Sequence, residues 1–165
     1  MKRISLYIIT IILLLFPSFV LAQDVSVPGP QPISLERALK LAPDEGKKIL
    51  IDVFATWCPY CKRMHSEVYP SDAVQEAISK YFLWVKIDVE SDATVNYHGE
   101  EMTEAQFAQA LENQNVPTVY FLNDEGAIIG SQPGYLEEAV FSNLLNFVGS
   151  DAYLDQSFKE YTEGE

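Results

Sequence analysis

Cys58 and Cys61, the only cysteines in the chain, stand with two residues between them in Trp57-Cys58-Pro59-Tyr60-Cys61-Lys62. A bond across so short a loop constrains little, because closing about four residues contributes under ~2 kcal/mol against ~3 for fifteen. Two thiols at this spacing suit reversible dithiol–disulfide exchange better than stapling. The apolar run Ile49-Leu50-Ile51-Asp52-Val53-Phe54 precedes them and a helix opened by Pro59 follows, so Cys58 lies just outside a helix start. There its sulfur meets backbone N–H groups without intrahelical partners and the positive end of the helix dipole, which favour thiolate over thiol. Cys58 is therefore the expected nucleophile. Cys61, one turn inside the helix and more buried, suits the second step, attack on a mixed disulfide.

The elements around the dithiol read as an alternating α/β chain. Ser34 caps an amphipathic helix over Leu35–Ala42, closed by Pro43 and Gly46. Lys48–Ala55 is a buried strand, 59–68 a helix, and Pro70-Ser71-Asp72 starts another running to Lys80. Phe82–Val89 is the second strand. Polar residues 90–99 read as a loop, followed by a helix from Thr103 with a capping-box start. Val116-Pro117-Thr118 leads into strand Val119–Leu122, Asn123-Asp124-Glu125-Gly126 turns it, and Ala127–Gly130 returns. Pro133-Gly134-Tyr135 ends the sheet before a helix over Leu136–Val148, and residues 151–161 add a short helix. The order predicts a central mixed sheet with helices on both faces and the reactive segment at a strand's carboxyl end.

Ala55-Thr56-Trp57-Cys58-Pro59-Tyr60-Cys61-Lys62 resembles the active site of the thioredoxin superfamily, and the resemblance extends over residues 35–148. It implies a thioredoxin fold. Asp52, six residues before Cys58, matches the family's buried carboxylate; burial would favour its protonated form and let it trade a proton with Cys61. The other reading is a strand Asp paired with Lys48 or Lys86. Val116-Pro117-Thr118 matches the cis-proline loop, whose backbone at Val116 would pair with an extended substrate strand. Gly134 resembles the glycine beside the substrate groove, and Trp57, Pro59 and Tyr60 would frame its entry.

Three features depart from a minimal thioredoxin. Cys58 and Pro117 are 59 positions apart, which implies a helical insertion over residues 97–114. Pro59-Tyr60 stands between the cysteines, as in glutaredoxins rather than thioredoxins; this dipeptide influences redox poise, which across the superfamily ranges from about −270 to −120 mV. The chain also continues past the last expected helix as an extension, residues 151–165.

The first 22 residues read as a secretory signal peptide: Lys2 and Arg3, an apolar Ile4–Val20, and Val20-Leu21-Ala22 before a cut ahead of Gln23. An uncleaved anchor is the other reading, since the stretch approaches the ~17–25 residues that span a bilayer. Cleavage leaves 143 residues, one domain's worth. They divide into an extended leader, 23–32, rich in proline, and a domain over 33–150. The mature chain carries nine basic against 24 acidic residues, a net charge of −15, which argues against nucleic acid or an anionic membrane surface as partner.

Export and the insertion together resemble the exported thioredoxin-like proteins, including the SoxW-like group. The expectation is a periplasmic or secreted monomer that needs no cofactor and reduces disulfides of exported proteins, with electrons from a membrane thiol-disulfide protein. Two other classes stay open. Cys58, Cys61 and His65 together offer three metal donors, with His98 as the remaining histidine. A binding module on the same fold would need no dithiol chemistry at all.

Overall fold

In β1, Lys48–Phe54, every residue from Ile49 to Val53 is buried, as expected of a central strand covered on both faces. The computed structural model describes residues 29–164, so the expected signal peptide and most of the leader lie outside the described residues. Strand order in the sheet is β2-β1-β5-β6, with β2 at Phe82–Asp88, β5 at Thr118–Leu122 and β6 at Ile128–Pro133. β1 runs parallel to β2 and antiparallel to β5, and β6 is antiparallel to β5. The mixed α/β sheet of the thioredoxin fold is thus present.

Side chains alternate across β1, which divides the core in two. Leu50 packs with Met64, Val68, Tyr69, Ile78 and Phe141. These come from α2, Pro59–Arg63 and the turn that prolongs it, from α3, Asp72–Tyr81, and from α5, Glu138–Gly149. Ile49, Ile51 and Val53 face the other way, onto Leu35, Ala38 and Ala42 of α1 and Phe107 of α4. α1 spans Leu35–Glu45 and α4 Glu104–Ala110. Asp52 shares the face of Leu50, so a carboxyl group is buried against the dithiol helix.

Several boundaries differ from the sequence reading. α1 runs on through Pro43 to Glu45, and Gly46 closes it in the left-handed conformation (φ 60°), its N–H donating to the Ala42 carbonyl. The helix expected over Leu136–Val148 begins at Glu138. The larger correction concerns the insertion, which is not simply helical. β3, Thr94–Tyr97, and β4, Glu100–Thr103, form a separate antiparallel ribbon ahead of α4. Its two-residue turn is His98-Gly99, both at positive φ (52° and 91°), the backbone that a tight hairpin demands and that Asn-Gly supplies more often. Val95 is buried, and the Tyr97 hydroxyl donates to the Gly126 carbonyl at 2.9 Å, tying the ribbon to the β5–β6 turn. The expected capping box is present: Thr103 and Gln106 satisfy each other's backbone N–H groups.

Beyond α5, a single 3-10 turn (Ala152–Leu154) and α6, Phe158–Glu163, fold back on the domain. The Phe147 ring meets Phe158 and Tyr161 at centroid distances of 5.4 and 5.3 Å. No helix among the described residues is long and apolar enough to cross a membrane.

Candidate active site

Cys58 is the N-cap of α2, with extended backbone (φ −73°, ψ 115°), and its sulfur accepts a hydrogen bond from the Cys61 N–H at 3.2 Å. One donor left free at the helix start is thereby directed at sulfur. On its other side the Cys58 thiol donates to the Val116 carbonyl at 3.6 Å. Val116-Pro117 is a cis peptide bond, and the Gly134 N–H donates to the Pro117 carbonyl at 2.8 Å. Four sequence-predicted residues, Cys58, Val116, Pro117 and Gly134, therefore meet at one end of the sheet. Trp57 and Tyr60 are 60% and 57% exposed; two large aromatic side chains left in solvent beside a reactive sulfur offer apolar area to a partner. Pro59 is exposed between them.

Both cysteines are free thiols and buried, packed with Ala55 and, in part, Phe54, Val89 and Val116. Burial pushes the Cys61 thiol up to about 12; a hydrogen bond and charge from Cys58 add to this, and Asp52 adds a smaller electrostatic push. Cys61 is thus a protonated thiol that needs a base before it can attack.

Asp52 is paired with neither Lys48 nor Lys86. Lys48 bridges to Asp151 at 2.9 Å, at the far end of β1. Asp52, its side chain 1% exposed, meets His65 instead, Oδ2 to Nε2 at 2.5 Å. Lys86, the residue in register with Asp52 on β2, reaches Nδ1 of the same ring at 3.3 Å and lies 4.4 Å from the Phe54 ring centroid. Asp52 Oδ1 and the Tyr69 hydroxyl are buried without a hydrogen-bond partner among the described residues. Burial first, then the Asp52 charge and a contact with the Asp52 carboxyl too poorly aligned to make a full hydrogen bond, push the Tyr69 phenol well above its usual range.

His65, considered from the sequence as a third metal donor beside Cys58 and Cys61, meets Asp52 instead. The helix widens at Met64–Val68, where the Tyr69 N–H reaches back five residues to the Met64 carbonyl at 2.9 Å. Such π turns recur at functional sites. Here the turn lies between β1 and solvent, with His65 5.2 Å from Phe54 and 5.6 Å from Tyr69, centroid to centroid. Among the described residues no three His, Cys, Asp or Glu side chains are placed to hold a metal, and His98 is at the ribbon turn against Tyr97. Tyr135 also escaped notice: its ring lies 5.8 Å from Tyr60 and under the Arg63 guanidinium at 4.6 Å. Arg63 itself pairs with Glu67 at 3.0 Å.

Comparison with known proteins agrees with this geometry. The thiol:disulfide interchange protein DsbD of Colwellia psychrerythraea is 30% identical over 111 residues, 66% of this chain and 17% of that protein. DsbD of Pseudoalteromonas atlantica is 27% identical over 109 residues, 65% of this chain and 17% of that protein. The chain thus spans about a sixth of the length of these curated relatives. Two solved structures share the fold: a DsbH oxidoreductase (TM-score 0.60, 15% identity, 82% of this chain and 94% of that one) and a thioredoxin from Thermus thermophilus (0.59, 21%, 73% and 88%). The model of the thioredoxin-like domain matches residues 35–149. A match that starts at the first residue of α1 and ends at the last of α5 settles the membership: the chain belongs to the thioredoxin-like domain family.

Proposed function

We propose that this protein is a thiol-disulfide oxidoreductase that reduces disulfides of exported proteins through Cys58 and Cys61. The observation that carries the reading is the Cys58 sulfur, which caps α2 through the Cys61 N–H and lies against the Val116 carbonyl beside Pro117. A sulfur so placed attacks a disulfide while an extended substrate segment pairs with the backbone of Val116.

The exchange runs in two steps. Cys58 thiolate attacks one sulfur of the substrate disulfide; a mixed disulfide forms and the other substrate sulfur leaves as a thiolate, protonated by solvent. Cys61 then gives its proton to Asp52 and attacks Cys58. The Cys58–substrate bond breaks, its electron pair leaves on the substrate sulfur, and a Cys58–Cys61 disulfide forms. The substrate gains two electrons and the protein loses two. Trp57, Pro59, Tyr60, Val116, Pro117 and Gly134 form the binding surface in this reading.

Removal of residues 1–22 after Ala22 would deliver the mature chain to the periplasm or beyond, where a membrane thiol-disulfide protein would return the electrons to a monomeric reductase. The match of about two thirds of this chain to part of DsbD, named as a thiol:disulfide interchange protein, supports a role in that chemistry. Insulin reduction with dithiothreitol as electron donor tests the activity. Wild type accelerates precipitation of the insulin B chain and Cys58→Ser does not; equal inactivity of the two would refute the assignment.

A further inference from the structure

Lysine's ammonium group can only donate. With Lys86 Nζ 3.3 Å from His65 Nδ1, Nδ1 is the acceptor of that contact and Nε2 carries the ring hydrogen. That N–H points at Asp52 Oδ2. The tautomer is thus fixed by the hydrogen bond at the other ring nitrogen. Asp52 is left with one oxygen engaged and the other, Oδ1, buried without a partner among the described residues.

We propose that His65 is a positioning residue for the second half of the exchange: its Nε2–H holds Asp52 through Oδ2 and leaves Oδ1 to receive the Cys61 proton. The proposal rests on the oxidoreductase reading above and deepens it. His65 is the side chain that donates to Oδ2 among the described hydrogen bonds, and the Tyr69 hydroxyl is the other group close to the carboxyl. The titratable groups around Asp52 are Cys61 from α2, His65 and Tyr69 from the π turn and Lys86 from β2, while β5 presents Val119 as its partner in register. Lys86 acts on Asp52 through the ring rather than directly.

The atoms balance as follows. In the mixed disulfide, the Cys61 S–H proton passes to Asp52 Oδ1, the new Cys58–Cys61 bond forms, and the substrate sulfur leaves with the electron pair. Asp52 then loses the proton to solvent on the side of His65, whose side chain is 24% exposed. That side opens into a cleft of about 420 Å³ lined in part by Gln31, Pro32, Trp84 and Lys86. Cys58 faces the opposite direction, toward Val116, so its own attack is independent of His65.

Ellman's reagent separates the two steps, because reduced protein releases one thionitrobenzoate when Cys58 attacks and a second when Cys61 resolves. Both phases are followed by stopped flow across pH for wild type, His65→Leu and His65→Gln, with folding checked by circular dichroism. His65→Leu is expected to keep the first phase within about twofold. It should slow the second about tenfold to a hundredfold near neutral pH, the scale of one lost hydrogen bond to a charge, and shift that phase's pH profile upward. His65→Gln, which keeps an N–H donor, recovers most of the loss. If His65→Leu does not fold, His65→Phe keeps the ring contacts with Phe54 and Tyr69 without the donor and is expected to behave as described for Leu. A second-phase profile that superimposes on wild type, or a Gln variant no better than the donor-free one, overturns the role of His65 alone. A wild type that releases only the first thionitrobenzoate overturns the exchange mechanism and with it this proposal.

Discussion

The protonation of Cys61 offers a direct quantitative test of the site. Its thiol is pushed from 9.0 to about 12, first by burial and then by the hydrogen bond and charge of Cys58, with Asp52 among the smaller causes. At about pH 9 an ordinary thiol is half ionised, whereas Cys61 would be ionised in about one molecule in a thousand. The perturbation is Cys58→Ala, which removes the two contributions of that sulfur and leaves burial in place; Cys61 is then expected to titrate between 9 and 12. Adding Asp52→Asn should lower it less than the first change did. Thiolate ultraviolet absorbance of the reduced proteins, one thiol at a time, reads these values. A linked effect on stability has a defined sign. The folded state retains the Cys61 proton where the unfolded chain has lost it, so this contribution is fully present below 9 and is lost as pH rises from 9 through about 12. The urea midpoint of reduced wild type should fall more steeply across that window than that of Cys61→Ser. Ionisation of Cys61 at or below 9 in reduced wild type would refute the argument from burial.

Two further substitutions test the frame around the site. Gly126→Ala places a Cβ 2.4 Å from Leu39 Cδ2 and 3.1 Å from the His98 ring at a φ of +85°; the left-handed backbone alone costs about 1–2 kcal/mol, so a clear drop in melting temperature is expected, and an unchanged one would contradict the packing at this turn. Thr103→Ala breaks the capping box of α4 and should cost about 0.5–2 kcal/mol, measured by urea unfolding, with insulin reduction unchanged; a larger loss of activity than of stability would place α4 closer to the chemistry than its position suggests.

Local rules made much of this molecule legible. β1 reads as a buried strand because five consecutive residues are covered on both faces, and α4 was visible through Thr103 and Gln106, a cap that works within four residues. The dithiol could be located by its own spacing, and Asp52 and Val116-Pro117 through the resemblance to the thioredoxin superfamily. The ribbon β3–β4 could not, because its core side contributes little beyond Val95 and Tyr97 and its turn uses His98-Gly99 where Asn-Gly would have announced a hairpin. His65 was hidden for a different reason. Its pairing with Asp52 depends on the register that sets Asp52 beside Lys86 and on a π turn at Met64–Val68, and neither a strand register nor one extra residue per turn leaves a periodic trace in the sequence.

The causes of the Cys61 shift also bear on how the two steps are kept in order. Before substrate arrives, Cys58 holds down the ionisation of Cys61 both by hydrogen bonding and by charge, so a second thiolate does not compete with the first. Once Cys58 is tied up in a mixed disulfide its sulfur carries no charge and is a poorer hydrogen-bond partner, and both restraints weaken together. Burial and Asp52 remain. What opposes Cys61 at that moment is a desolvation cost that a nearby base can offset by taking the proton, the part that the proposed mechanism gives to Asp52, one of whose oxygens is engaged by His65. On the proposed mechanism, formation of the mixed disulfide itself makes Cys61 easier to ionise, so the resolving thiol becomes reactive when there is something to resolve.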